Sequence, residues 1–83
     1  MNYEKYDVIT FDYDDKVVVL ETLEHEGIKY LYVDKVDVNE TKTLKEFHIL
    51  RVCDDDYLQK ETNPDILMEI LPLFNRLVKL NEE

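Results

Sequence analysis

Residues Lys16–Val36 read KVVVLETLEHEGIKYLYVDKV, and the fold follows from this stretch. Two β-branched, aromatic-rich runs flank a Glu-Gly pair, which is the pattern of two strands joined by a tight turn. Lys16–Glu24 is the first run, with Val17, Val19 and Leu23 on one side and Val18 and Leu20 on the other. Ile28–Val36 is the second, with Ile28, Tyr30 and Tyr32 facing one way and Leu31 and Val33 the other. Between them His25-Glu26-Gly27 forms the hairpin loop. The only glycine of the chain sits there, where a positive φ is cheapest without a Cβ.

Working outward, the same period of two continues on both sides. Val8–Tyr13 is an earlier strand, with Ile9, Phe11 and Tyr13 on one side, and Asp14-Asp15 is its turn. Beyond the polar connection Asp37–Lys42, Leu44–Cys53 is a fourth strand with Phe47 and Ile49 opposite His48, Leu50 and Val52. Asp54–Asp56 is a turn, and Tyr57–Glu61 a short fifth strand. The period then changes. Asn63 suits an N-cap, Pro64 the first helical position, and Asp65 the positive end of the helix dipole. Ile66, Leu67, Ile70, Leu71, Phe74, Leu77 and Val78 recur at helical spacing. Leu67, Leu71, Phe74 and Val78 stay in phase across Pro72, so one kinked helix is expected rather than two. The fold class expected is α+β: an antiparallel meander of four to five strands, about 7–61, followed by one C-terminal helix, about 64–81, packed on the sheet. Residues 1–83 are expected to form a single domain. One helix covers one sheet face, so the other face is expected to curl on itself or to serve in association.

Composition bounds the function. The chain has 83 residues, 45% of them hydrophobic, with six Tyr and three Phe. A core is therefore within reach, but a domain this small has little apolar material to spare for a deep pocket. Twenty acids against ten bases leave a net charge of −10. The excess is spread along the chain: residues 1–36 carry nine acids and four bases, 37–62 seven and four, 63–83 four and two. Such a surface repels phosphate backbones and anionic lipid, so neither nucleic acid nor membrane is an expected partner. A protein is, either a basic partner or a second copy. One cysteine precludes an internal disulfide. No apolar run approaches a membrane span, and Met1–Asp7 lacks the pattern of a signal peptide. A cytoplasmic location is expected.

The reactive side chains do not group. Asp12, Asp14 and Asp15 at the first turn, or Asp54, Asp55 and Asp56 after the fourth strand, are the candidate ligands for Ca²⁺ or Mg²⁺. Neither set meets the EF-hand pattern: from Asp12 the glycine position is Val17 and the bidentate glutamate position Leu23, and from Asp54 the glycine position is Gln59. Aspartates that form turns on a solvated edge explain both sets. A divalent-metal-binding domain using Asp12, Asp14, Asp15, Asp54 and Asp56 is the alternative to the interaction module. Cys53 and His48 fall on opposite faces of a regular strand, and three aspartates follow the thiol and disfavour a thiolate. Three Cys or His in all fall short of a zinc site's usual four ligands. One glycine cannot build a phosphate-cradling loop. No catalytic residue and no cofactor is expected. Met68, Leu73 and Leu80 lie off the main helical stripe and mark a candidate association surface.

The order of these features resembles the YrzB-like small acidic proteins of Gram-positive bacteria, a domain family of unknown function. The resemblance rests on ITFDYDDKVVVLETLEHEGIKYLYV, FHILRV and EILPLFNRLVKL, and covers roughly residues 8–80. It runs through the acidic turn Asp12–Asp15, the strand end Leu20–Glu24, the Glu26-Gly27 turn and Tyr30. It resumes at Ile49–Val52 and at Phe74-Asn75-Arg76-Leu77. The chain departs from the pattern where Asp15 or Lys16 replaces a turn glycine, at Val33–Val36, and at Pro72. The resemblance implies an α+β fold and a bacterial cytoplasmic origin, and no catalytic residues.

Overall fold

The computed structural model describes residues 3–11, 15–37, 39, 42–54 and 57–81. Five strands, β1 (Val8–Phe11), β2 (Asp15–His25), β3 (Ile28–Val36), β4 (Thr43–Val52) and β5 (Leu58–Lys60), precede one helix, α1 (Pro64–Asn81). The strands pair in sequence order, all antiparallel. The meander and its C-terminal helix are therefore as the residue pattern predicts. Asp15 is already in β2, opposite Phe11, and not in the turn that the residue pattern gives it; Tyr13 and Asp14 lie outside the described residues.

β3 is the central strand and its alternation is regular. Leu31 and Val33 are fully buried on one face, in a cluster with Val17, Val19 and Leu50. Tyr30 faces the other way, in a cluster with Ile49, Ile70 and Phe74. The helix covers this second face. The first face has no helix, yet Val19, Leu31 and Val33 are all at 0% exposure. Ile9 of β1, Leu58 of β5 and Tyr3 of the preceding segment pack over them. The sheet curls on itself to close this face, one of the two outcomes that apolar residues on both sides demanded.

A bulge in β2 alters the expected facing. Val19 opposes Val33 and Glu21 opposes Tyr32, leaving Leu20 as the extra residue. Counting by twos places Leu23 with Val17 and Val19; the extra residue instead turns it to the helix cluster. His25 closes the hairpin as the partner of Ile28. Glu26 (φ 53) and Gly27 (φ 79) both adopt positive φ, as a type I′ turn requires.

The helix starts as its sequence dictates. The Asn63 side-chain oxygen accepts the Asp65 N–H at 3.0 Å, and the Asn63 carbonyl accepts the Leu67 N–H at 3.0 Å. The helix is not split at Pro72. The backbone bond lost there would run to Met68, and both residues are exposed, so the loss falls on the solvent side of the helix. The buried stripe is centred on Ile70 and Phe74, with Leu71 at its rim, 38% exposed. Phe74 stacks on Tyr32 at 5.6 Å between ring centroids, and Tyr32 stacks on Phe47 at 5.5 Å.

Candidate functional site

The turn aspartates do not assemble among the described residues. Asp15 forms an ion pair with Lys35 at 3.3 Å. Asp54 is exposed beyond β4, in a turn closed by its carbonyl and the Tyr57 N–H at 3.3 Å. Neither belongs to a group of three metal-ligating side chains among the described residues. Asp12, Asp14 and Asp56, and with them Asp55, lie outside the described residues.

Cys53 and His48 are not brought together as a pair. His48 faces the curled interior, opposite Val33. The Cys53 thiol lies 3.9 Å from the Arg51 carbonyl and 3.8 Å from Gln59 Oε1. Burial, reinforced by the charge of Glu61, pushes the Tyr30 phenol above its ordinary value of 10.0, against the opposing effect of Arg51. Burial, with Asp34 second, raises Tyr32 in the same sense.

An open groove of about 330 Å³ lies between β4 and α1. Tyr32, Phe47, Ile49, Leu67 and Leu71 supply its apolar wall, and Glu61 its polar rim. Phe47 is 48% exposed, and Met68 stands 75% exposed on the same helix as Leu67 and Leu71. β5 pairs only with Leu50–Val52 of β4, with Glu61 N–H adding a bond to the Ile49 carbonyl. Among the described residues no strand pairs with Thr43–His48 on that edge.

Exposed acids lie before β1, at the β2–β3 hairpin, on β4 and on α1. Glu4 and Asp7 before β1, Glu24 and Glu26 at the hairpin, Glu46 on β4, and Asp65 and Glu69 on α1 are all exposed. Several bases are held internally. Lys5 pairs with Glu21 at 3.1 Å, Lys35 with Asp15 and Glu46, and Lys29 donates to the Tyr3 carbonyl at 2.8 Å.

Two arrangements are absent from the sequence reading. Asp34 is buried, and its carboxyl accepts the Glu46 N–H at 2.9 Å where β4 bulges around Lys45 (φ 57). His25, Glu26 and Glu69 converge at the hairpin tip, with ligand atoms all within 4.8 Å of one another. The signal that could have revealed the latter is the bulge that reorients β2, and a bulge in a β-branched run has no residue signature. No helix among the described residues is long and apolar enough to cross a membrane. Comparison with family models, with curated proteins and with solved structures finds no match to this chain.

Proposed function

We propose that this chain is a non-enzymatic interaction module whose anionic surface meets a basic protein partner in the cytoplasm. The observation that carries the reading is the excess of exposed acids on hairpin, strand and helix alike, while Lys5, Lys29 and Lys35 are tied down within the chain. A field of one sign around a compact body steers an oppositely charged partner and sets its orientation. The groove beside Phe47 and Leu71 gives the same partner an apolar anchor.

The test begins with affinity purification from the native host and identification of the co-eluting protein. Binding of that purified protein is then followed as salt rises from about 0.1 M to about 1 M, which shortens the Debye length from about 10 Å to about 3 Å. The expected result is a basic partner whose association slows and weakens steeply. An acidic partner, or binding indifferent to salt, sinks the reading.

A further inference from the structure

We propose that His25, Glu26 and Glu69 form a binding site for a divalent transition metal of the Zn²⁺ type, clamping the hairpin tip to α1. Three separate elements supply the ligands. The extra residue in β2 turns His25 toward the helix. The positive-φ turn presents Glu26, and α1 presents Glu69. The ligand atoms of all three lie within 4.8 Å of one another, although Glu69 is 44 residues from His25 in sequence.

The spacing fits a metal. His25 Nε2 and Glu69 Oε2 are 3.3 Å apart, longer than a good N–H···O bond of about 2.7–3.2 Å. With metal–ligand bonds of about 2.0–2.1 Å, the edge of a tetrahedron is about 3.3–3.4 Å. Glu26 is exposed on the turn, and its carboxylate lies within 4.8 Å of both other ligand atoms. The electrostatics agree. Two carboxylates meet here, and among the described residues neither has a Lys or Arg ion pair. A dication supplies the missing charge.

The donor set selects the metal class. One imidazole nitrogen and two carboxylate oxygens suit Zn²⁺ and its first-row neighbours. Ca²⁺ wants six to eight oxygens and Mg²⁺ an octahedron rich in water. Three protein ligands leave a fourth position for water or for a donor from a partner.

The test uses the full chain with Cys53→Ser and His48→Ala in the background, which removes the other soft ligands. Zn²⁺ alone is titrated calorimetrically, and thermal melts are run with Zn²⁺, Ca²⁺ or Mg²⁺. The expected result is one equivalent of Zn²⁺ bound with a raised midpoint, and smaller shifts for Ca²⁺ and Mg²⁺. His25→Ala and Glu69→Gln each lower the Zn²⁺ affinity at least about tenfold, the minimum expected even for a group that only supports a ligand. Glu69 is 60% exposed, so its variant folds whatever becomes of His25→Ala. No Zn²⁺ binding at millimolar metal, binding unchanged in Glu69→Gln, or an equal response to Ca²⁺ overturns the site.

Discussion

Replacing Leu50 by Ala tests whether the helix-free face of the sheet is a true core. Leu50 is 1% exposed and packs with Val17, Val19, Leu31 and Val33. The substitution removes three carbons, worth about 2.4 kcal/mol at about 0.8 kcal/mol each. A residual cavity adds about 24 cal/mol per Å³ that the site fails to refill, so the cost is about 2.5–5 kcal/mol. A chain of this length has about 4–12 kcal/mol in all, so Leu50→Ala lowers the melting midpoint by at least about 10 °C. Phe47→Ala is the internal control. It lies on the same strand but the opposite face, 48% exposed, stacked on Tyr32, and costs about 1 kcal/mol. The assay is urea unfolding followed by far-UV circular dichroism, since the chain has no Trp. If Leu50→Ala stays within about 0.5 kcal/mol of the parent, the usual range for surface substitutions, the face is open and the curled sheet is wrong. A cost for Phe47→Ala larger than that for Leu50→Ala would refute the closed face equally.

Four further outcomes follow from particular groups. Pro72→Ala restores a helical N–H on the solvent side of α1 and raises stability by about 1–3 kcal/mol, read as a higher urea midpoint. Asn63→Ala removes the acceptor of the Asp65 N–H and costs about 1 kcal/mol in the same assay. The folded state holds the Tyr30 and Tyr32 phenols neutral above 10.0. Their contribution is complete below about pH 10 and is lost as pH rises through the folded values; alkaline melts of Tyr30→Phe should therefore fall less steeply than those of the parent. Glu26→Asn suits a type I′ turn better than Glu and gains about 0.5–1 kcal/mol without metal, while Zn²⁺ affinity measured calorimetrically falls.

The residue pattern is a faithful guide where the backbone is regular. β3 reads correctly because it is central, paired on both sides, and free of extra residues from Ile28 to Asp34. The helix start is legible because a cap is a local device, Asn63 to Asp65. β2 misleads beyond Val19 because Leu20 looks like any other strand residue, and only its partner's register exposes the bulge. The buried centre of the helical stripe lies at Ile70 and Phe74, two of the seven apolar positions at helical spacing. Apolar residues fill a wide arc there, and docking on Tyr30 and Ile49 chooses among them. Asp34 reads as a polar strand residue. Its burial depends on a backbone N–H freed by the turn of Lys45 into positive φ, which no side chain announces. His25 and Glu69 meet through tertiary docking alone.

The two bulges also explain why the surface, rather than an interior, must carry the function proposed. Five strands spaced about 4.8 Å apart would, if flat, set β1 and β5 about 19 Å apart. One helix cannot shield both faces of such a plank, and Leu31 and Val33 would lie open on the far side. Bulges sharpen twist, and these two flank β3, at Val19/Glu21 on one side and Asp34/Val36 on the other. The sheet can then fold its flanks over Leu31 and Val33 while its outer face receives Ile70 and Phe74. That closure consumes the core side chains, and an apolar wall is left open along the β4–α1 seam where β5 stops short. Phe47 and Leu71 remain at that seam, next to an edge of β4 without a strand partner among the described residues and amid carboxylates. A partner that offered an apolar side chain with flanking bases would satisfy the seam and the charge together.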